Sequence, residues 1–141
     1  MLTLQLEQIV KLKTISFYDE VYKQNILFCI GDSEKTKKYV YKNAKIKIEF
    51  DGKDGGLTFD CTESRKGIII WLISFNRKPE DFGYLIHEIL HCTFFTMANK
   101  GIKLKDDDFN ESFTYYSEFL MRKFLELYSR IENRKTKRKG E

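Results

Sequence analysis

Residues 87–91 read His87-Glu88-Ile89-Leu90-His91 and contain both histidines of the chain. In a helix, positions i and i+4 lie one turn apart on one face, so both imidazoles can reach a single metal ion. Glu88 stands between them, placed to polarise a metal-bound water. The chemistry this spacing permits is metal-assisted hydrolysis, with zinc as the ion.

A catalytic zinc takes three protein ligands and leaves the fourth position to water. With both histidines used, the third ligand must be a carboxylate or a cysteine. The downstream candidates are Cys92, Asp106, Asp107, Asp108, Glu111 and Glu118. Cys92 follows His91 by one residue, about 100° around the helix, and faces elsewhere. The three aspartates sit in a loop or at the start of the next helix, where capping and solvation account for them. Glu111 falls one turn into that helix, on the flank of its apolar stripe. Its carboxylate lies beside the motif helix if the two helices pack antiparallel.

The elements that must hold these residues are legible as a strand-rich first half and a helical second half. Residues 25–30 (NILFCI) form an apolar run ended by Gly31, and residues 15–22 are a candidate first strand. Asp32-Ser33 can cap a helix to about Lys42, with Glu34 and Lys38 spaced i, i+4. Residues 45–50 (KIKIEF) alternate, with Ile46, Ile48 and Phe50 on one face. A turn cluster at residues 51–56 leads to a short strand at residues 57–61. Residues 67–75 (GIIIWLISF) are continuous and β-branched, as in a strand covered on both faces.

Pro79 suits a first helical position, with Glu80 and Asp81 in the first turn where the macrodipole favours acids. Phe82, Leu85, Ile86, Ile89, Leu90 and Phe94 give a helical stripe that ends near Asn99, with Gly101 as the C′ residue. Gly83 allows either a close approach by a strand or substrate, or tight packing. After a loop, Asp107 or Asp108 can cap a second helix, whose stripe runs Phe109, Phe113, Tyr116, Leu120, Leu127 and Ile131. The expected fold is α+β: a small mixed sheet over residues 14–75, packed against a motif helix at 79–99 and a second helix at 108–133.

The chain of 141 residues is expected to form one domain over residues 1–129. At 42% hydrophobic and 33% charged, its composition is that of a globular protein. Residues 130–141 hold six of the 25 basic and two of the 21 acidic residues, so the body balances at 19 of each. That basic tail is expected to be solvated and unstructured; contact with nucleic acid or an acidic partner is the alternative, the nucleic-acid case weakened by the lack of interleaved aromatics. The longest apolar run is too short for a membrane span, and no signal peptide is expected at the N-terminus. Three cysteines without metal-ligand spacing read as free buried thiols, which places the protein in a reducing cytoplasm.

His-Glu-x-x-His followed by an acidic residue on the next helix resembles the gluzincin class of zinc metallopeptidases, whose third ligand is a glutamate, often in an Asn-Glu pair. Asn110-Glu111 occurs here, with nineteen residues between His91 and Glu111. The stretch from His87 to Tyr116 is also similar to small zincin-like proteins of phages and prophages. The resemblance implies that His87, His91 and Glu111 bind zinc and that Glu88 is the general base. It further implies that residues 67–75 border the cleft and pair with an extended peptide or protein substrate. Thermolysin-like members carry an aspartate four residues after the ligand glutamate, where this chain has Tyr115. An oxyanion donor is also unassigned; Tyr115 and Tyr116 are the candidates, with core or interface roles as their alternative. No counterpart of the subdomain that walls the cleft in larger members is expected, so substrate choice would rest on loops or on a protein partner. The expected function is therefore a zinc metallopeptidase. The alternative is a non-catalytic zincin-like module, a phage assembly component or regulator, with a structural zinc.

Overall fold

The computed structural model describes residues 11–103 and 109–139. Two compact units are distinguished, Met1–Glu88 and Ile89–Glu141, and their boundary falls inside a helix. The α+β class and the small mixed sheet are as expected.

The first unit holds the sheet. Strands β1 (Lys13–Asp19) and β2 (Gln24–Ile30) form an antiparallel hairpin. After helix α1 (Ser33–Ala44) come β3 (Gly56–Asp60), a 3₁₀ turn at Thr62–Ser64, and β4 (Ile68–Leu72). The sheet order is β1-β2-β4-β3, with β4 parallel to β2 and antiparallel to β3. β4 is thus central, and all five of its residues are buried. Its β-branched run reads correctly as a strand covered on both faces. It cannot also be the strand that pairs with substrate, because both of its edges are taken. The antiparallel edge beside it is β3, which among the described residues pairs on one side only.

Residues 45–50 are a second correction. They belong to no strand, yet Ile48 is buried and Ile46 and Phe50 are half-buried. Phe50 packs on Trp71, with ring centroids 4.8 Å apart, and on Phe59 at 5.4 Å. The alternation reports which side chains face the core, and an extended segment satisfies it without joining a ladder. Asp32 caps α1 as expected, accepting from the Lys35 amide at 2.9 Å. Glu34 pairs with Lys37 at 3.0 Å, one position earlier than expected.

Helix α2 spans Pro79–Asn99, the expected bounds. Its start is locked by Asp81, which is buried and accepts from the amides of Asn76 (2.8 Å) and Lys78 (3.2 Å). The Lys78 carbonyl in turn accepts from the Asp81 amide, so Asp81 and Lys78 close a reciprocal cap. Its end is a Schellman motif. The Gly101 amide donates to Ala98 and the Ile102 amide to Met97, with Gly101 at φ +73°.

In the second unit, the C-terminal part of α2 lies against helix α3 (Phe109–Lys139). The hydroxyls of Thr93 and Ser117 bond at 2.9 Å, and Phe94 meets Phe113 at 4.8 Å, so the helices run antiparallel. The buried stripe of α3 is Tyr116, Leu120, Phe124 and Tyr128, a four-residue spacing, whereas Leu127 and Ile131 are half-buried flanks. On α2, Ile86 and Phe94 are exposed, while Cys92, Thr93 and Thr96 are buried in their place. The expected unstructured tail is instead helical through Lys139. Pairs Glu118–Arg122 and Glu126–Arg130, each acid four residues ahead of its base, favour the helix, and the terminal cations suit its negative end. Among the described residues, no helix is long and apolar enough to cross a membrane.

Candidate functional site

Helix α2 carries His87, Glu88 and His91 as the sequence requires, one turn separating the two imidazoles. Both histidines are exposed. Glu88 is not: it is 4% exposed and turns toward the edge strand. The Thr58 hydroxyl, on β3, lies 2.9 Å from Glu88 Oε1 and 3.1 Å from the Glu88 carbonyl oxygen. Its single proton serves one of these acceptors at a time, and either bond ties the helix to the strand. Oε2 makes no hydrogen bond within the described residues, yet no buried side-chain oxygen lacks a partner. Oε2 therefore meets solvent. One carboxylate oxygen is held and the other is presented, the arrangement a general base needs.

The strand beneath is shaped for this approach. A Cβ on Gly56 would lie 2.9 Å from Glu88 Cγ and 2.9 Å from the Trp71 carbonyl oxygen. A Cβ on Gly55 would overlap three ring carbons of Tyr84. The Gly55-Gly56 pair, expected only as a turn, is the surface on which α2 rests. Gly83, open on sequence to either a close approach or tight packing, shows neither, since an added Cβ meets nothing within 4 Å. The glycines that matter sit opposite the helix, not in it.

The direction of the β3 backbone follows from its ladder. The Ile73 amide donates to Gly55 and the Cys61 amide to Gly67, so odd-numbered residues address β4. Gly56 and Thr58 then turn their N–H and C=O groups to the other edge. Thr58 thus touches Glu88 with its side chain and offers backbone groups where another strand would add.

Other expected site residues are placed as follows. Glu111 is exposed on the first turn of α3, and Tyr115, 67% exposed, lies one turn further on the same face. Tyr116 is 3% exposed and stacks on Phe119, so this candidate donor is a core residue instead. Asp106, Asp107 and Asp108 lie outside the described residues. Cys92 is fully buried, away from the exposed histidine face. All three cysteines are free and buried. Burial pushes the Cys29 thiol up to about 12, and burial, then Asp60, raises Cys61. These two thiols are poor nucleophiles.

Two imidazoles one turn apart are suitable zinc donors, and a carboxylate completes that chemistry. The histidines are in place on one exposed face. Among the described residues, however, no group of three His, Cys, Asp or Glu side chains is arranged to hold a metal ion.

Replacing Gly56 by alanine tests the contact under Glu88. The Trp71 carbonyl cannot yield, so the added methyl is expected to cost about 1–3 kcal/mol. Urea denaturation reads the loss, and a midpoint equal to wild type would refute the close approach. No family model matches the chain, and no curated protein or solved structure matches it either.

Proposed function

We propose that this chain is a zinc-dependent peptidase that hydrolyses an amide bond of a peptide or protein held extended along the edge of β3 that is unpaired among the described residues. The observation that supports it most is the Glu88 carboxylate, anchored by Thr58 through one oxygen and open to solvent through the other. Substrate paired with Gly56 and Thr58 would bring its backbone beside that open oxygen. The edge role assigned to residues 67–75 on resemblance passes to β3, since β4 has no edge to give.

The resemblance assigns His87, His91 and Glu111 to the ion, although the described residues do not bring three such groups together. When bound, zinc supplies Lewis acidity that polarises a carbonyl and makes a water easier to deprotonate. Glu88 takes the proton from the attacking water and returns it to the departing amine. Thr58 keeps the carboxylate in one rotamer during both transfers. Gly56 keeps the strand close enough for the carboxylate to lie over it. The edge amides and carbonyls of β3 orient the substrate main chain, independent of its side chains.

Metal content tests the ligand set. Wild type is expected to retain zinc after dialysis against metal-free buffer. His91→Ala and Glu111→Ala should each lose most of it, measured by mass spectrometry of the metal. Full retention by Glu111→Ala would remove that residue from the set. A zinc-retaining wild type that cleaves no peptide in a mixed library would instead be the non-catalytic module.

A further inference from the structure

We propose that Tyr84 is the oxyanion donor of this site, its phenol hydroxyl hydrogen-bonding the scissile carbonyl oxygen as that carbon becomes tetrahedral. The inference rests on the peptidase reading above. Amide hydrolysis places negative charge on that oxygen, and a donor aimed at it is a large part of catalysis. The Thr58 hydroxyl is already committed to Glu88. The chain has no third histidine and Tyr116 is in the core, which leaves Tyr115, exposed on α3, as the other candidate donor.

Tyr84 stands on α2 three residues before His87, four before Glu88 and seven before His91. At about 100° per residue, these offsets put it within about 60° of each, in the middle of their shared face. Its ring lies directly on Gly55, the residue before the glycine beneath Glu88. Successive turns of the helix therefore set Tyr84 on Gly55 and Glu88 on Gly56, the first residue of β3. The residue is 43% exposed, and its hydroxyl has no hydrogen-bond partner among the described residues. The ring is pinned and the donor is open. A donor held this way needs little reorganisation when charge develops.

The balance of the step is simple. Water oxygen bonds to the carbonyl carbon as Glu88 takes its proton, and the C=O electron pair moves onto oxygen, which accepts the Tyr84 O–H hydrogen bond. The pair returns as the C–N bond breaks and Glu88 protonates the amine. Tyr84 itself loses no proton.

The test uses zinc-loaded full chain, a mixed decapeptide library read by mass spectrometry, and a phosphinate pseudopeptide whose tetrahedral anion mimics the charged intermediate. Tyr84→Phe keeps the ring on Gly55 and removes only the hydroxyl. It is expected to lower kcat on the best library peptide about 10²-fold, with KM within about twofold and zinc content unchanged. It should weaken phosphinate binding about as much as kcat/KM falls. Gly55→Ala, which displaces the ring, should lower kcat in the same sense. Wild-type kcat in Tyr84→Phe, a loss confined to KM, or equal phosphinate affinity overturns the proposal. With Glu88→Gln inactive alongside, that failure leaves the peptidase reading intact. If wild type cleaves no library peptide, both fall together.

Discussion

Zinc-loaded Glu88→Gln is expected to lose peptide hydrolysis by about 10²–10⁴-fold, the range of a general base. The substitution is close to isosteric. Glutamine keeps an oxygen that can accept from Thr58, so the link between α2 and β3 survives. It places a neutral amide where a carboxylate is nearly buried, which relieves desolvation instead of adding to it. The urea midpoint should therefore equal or slightly exceed that of wild type. Zinc content should not change, because Glu88 faces the strand while both histidines are exposed. The combination is diagnostic: chemistry lost, fold and metal kept. Hydrolysis at the wild-type rate would show that another group takes the proton and that the Thr58–Glu88 bond is only structural.

How far the sequence specifies this arrangement depends on whether the signal is local. Pro79 and Gly101 bound α2 correctly because capping is written within a few residues of each end. The run at residues 68–72 shows that both faces are covered, but not which strands flank it, because strand order is a non-local property. The resemblance alone therefore points to residues 67–75 as an edge, whereas β4 is paired on both sides. Residues 45–50 show the same limit, since alternation encodes facing and not pairing. The basic segment after Arg130 reads as solvated, and it is, but a solvated segment of good helix formers can still continue a helix. At the site, the motif located His87, Glu88 and His91. It did not reveal that Glu88 is buried against Thr58 while the histidines are exposed, because that depends on where the sheet lies. Tyr84 stands at i−3, i−4 and i−7 from the three motif residues, a spacing legible in the sequence, but its contact with Gly55 depends on where the sheet lies. Gly55-Gly56 carried a second signal, since adjacent glycines opposite a helix permit close contact as well as a turn.

Gly67→Ala is expected to have the largest effect on stability of any single methyl addition considered for this chain. A Cβ there would overlap the Asn25 carbonyl oxygen and crowd the Asn25 carbonyl carbon and nitrogen, all backbone of β2. The residue also holds φ at +75°, which costs an alanine about 1–2 kcal/mol. Overpacking against a main chain that cannot move aside adds about 1–3 kcal/mol, giving a total of about 2–5 kcal/mol. Against a typical stability of about 5–15 kcal/mol, much of the margin is lost. The site feels this through the sheet. Gly67 immediately precedes β4, where Ile68 begins the parallel register with Ile26, and its carbonyl accepts from Cys61 at the end of β3. Forcing Gly67 away from Asn25 loosens both sides of β4, and the edge that carries Thr58 depends on β4 for its only described pairing. Activity should fall in proportion to the unfolded population, with kcat per folded molecule preserved, which separates this loss from that of Glu88→Gln. Gly83→Ala supplies the internal control. It lies in a helix with nothing within 4 Å of the added carbon, so it should stabilise by about 0.5–1 kcal/mol. Urea midpoints that moved in the same direction for both variants would contradict the placement of the two glycines.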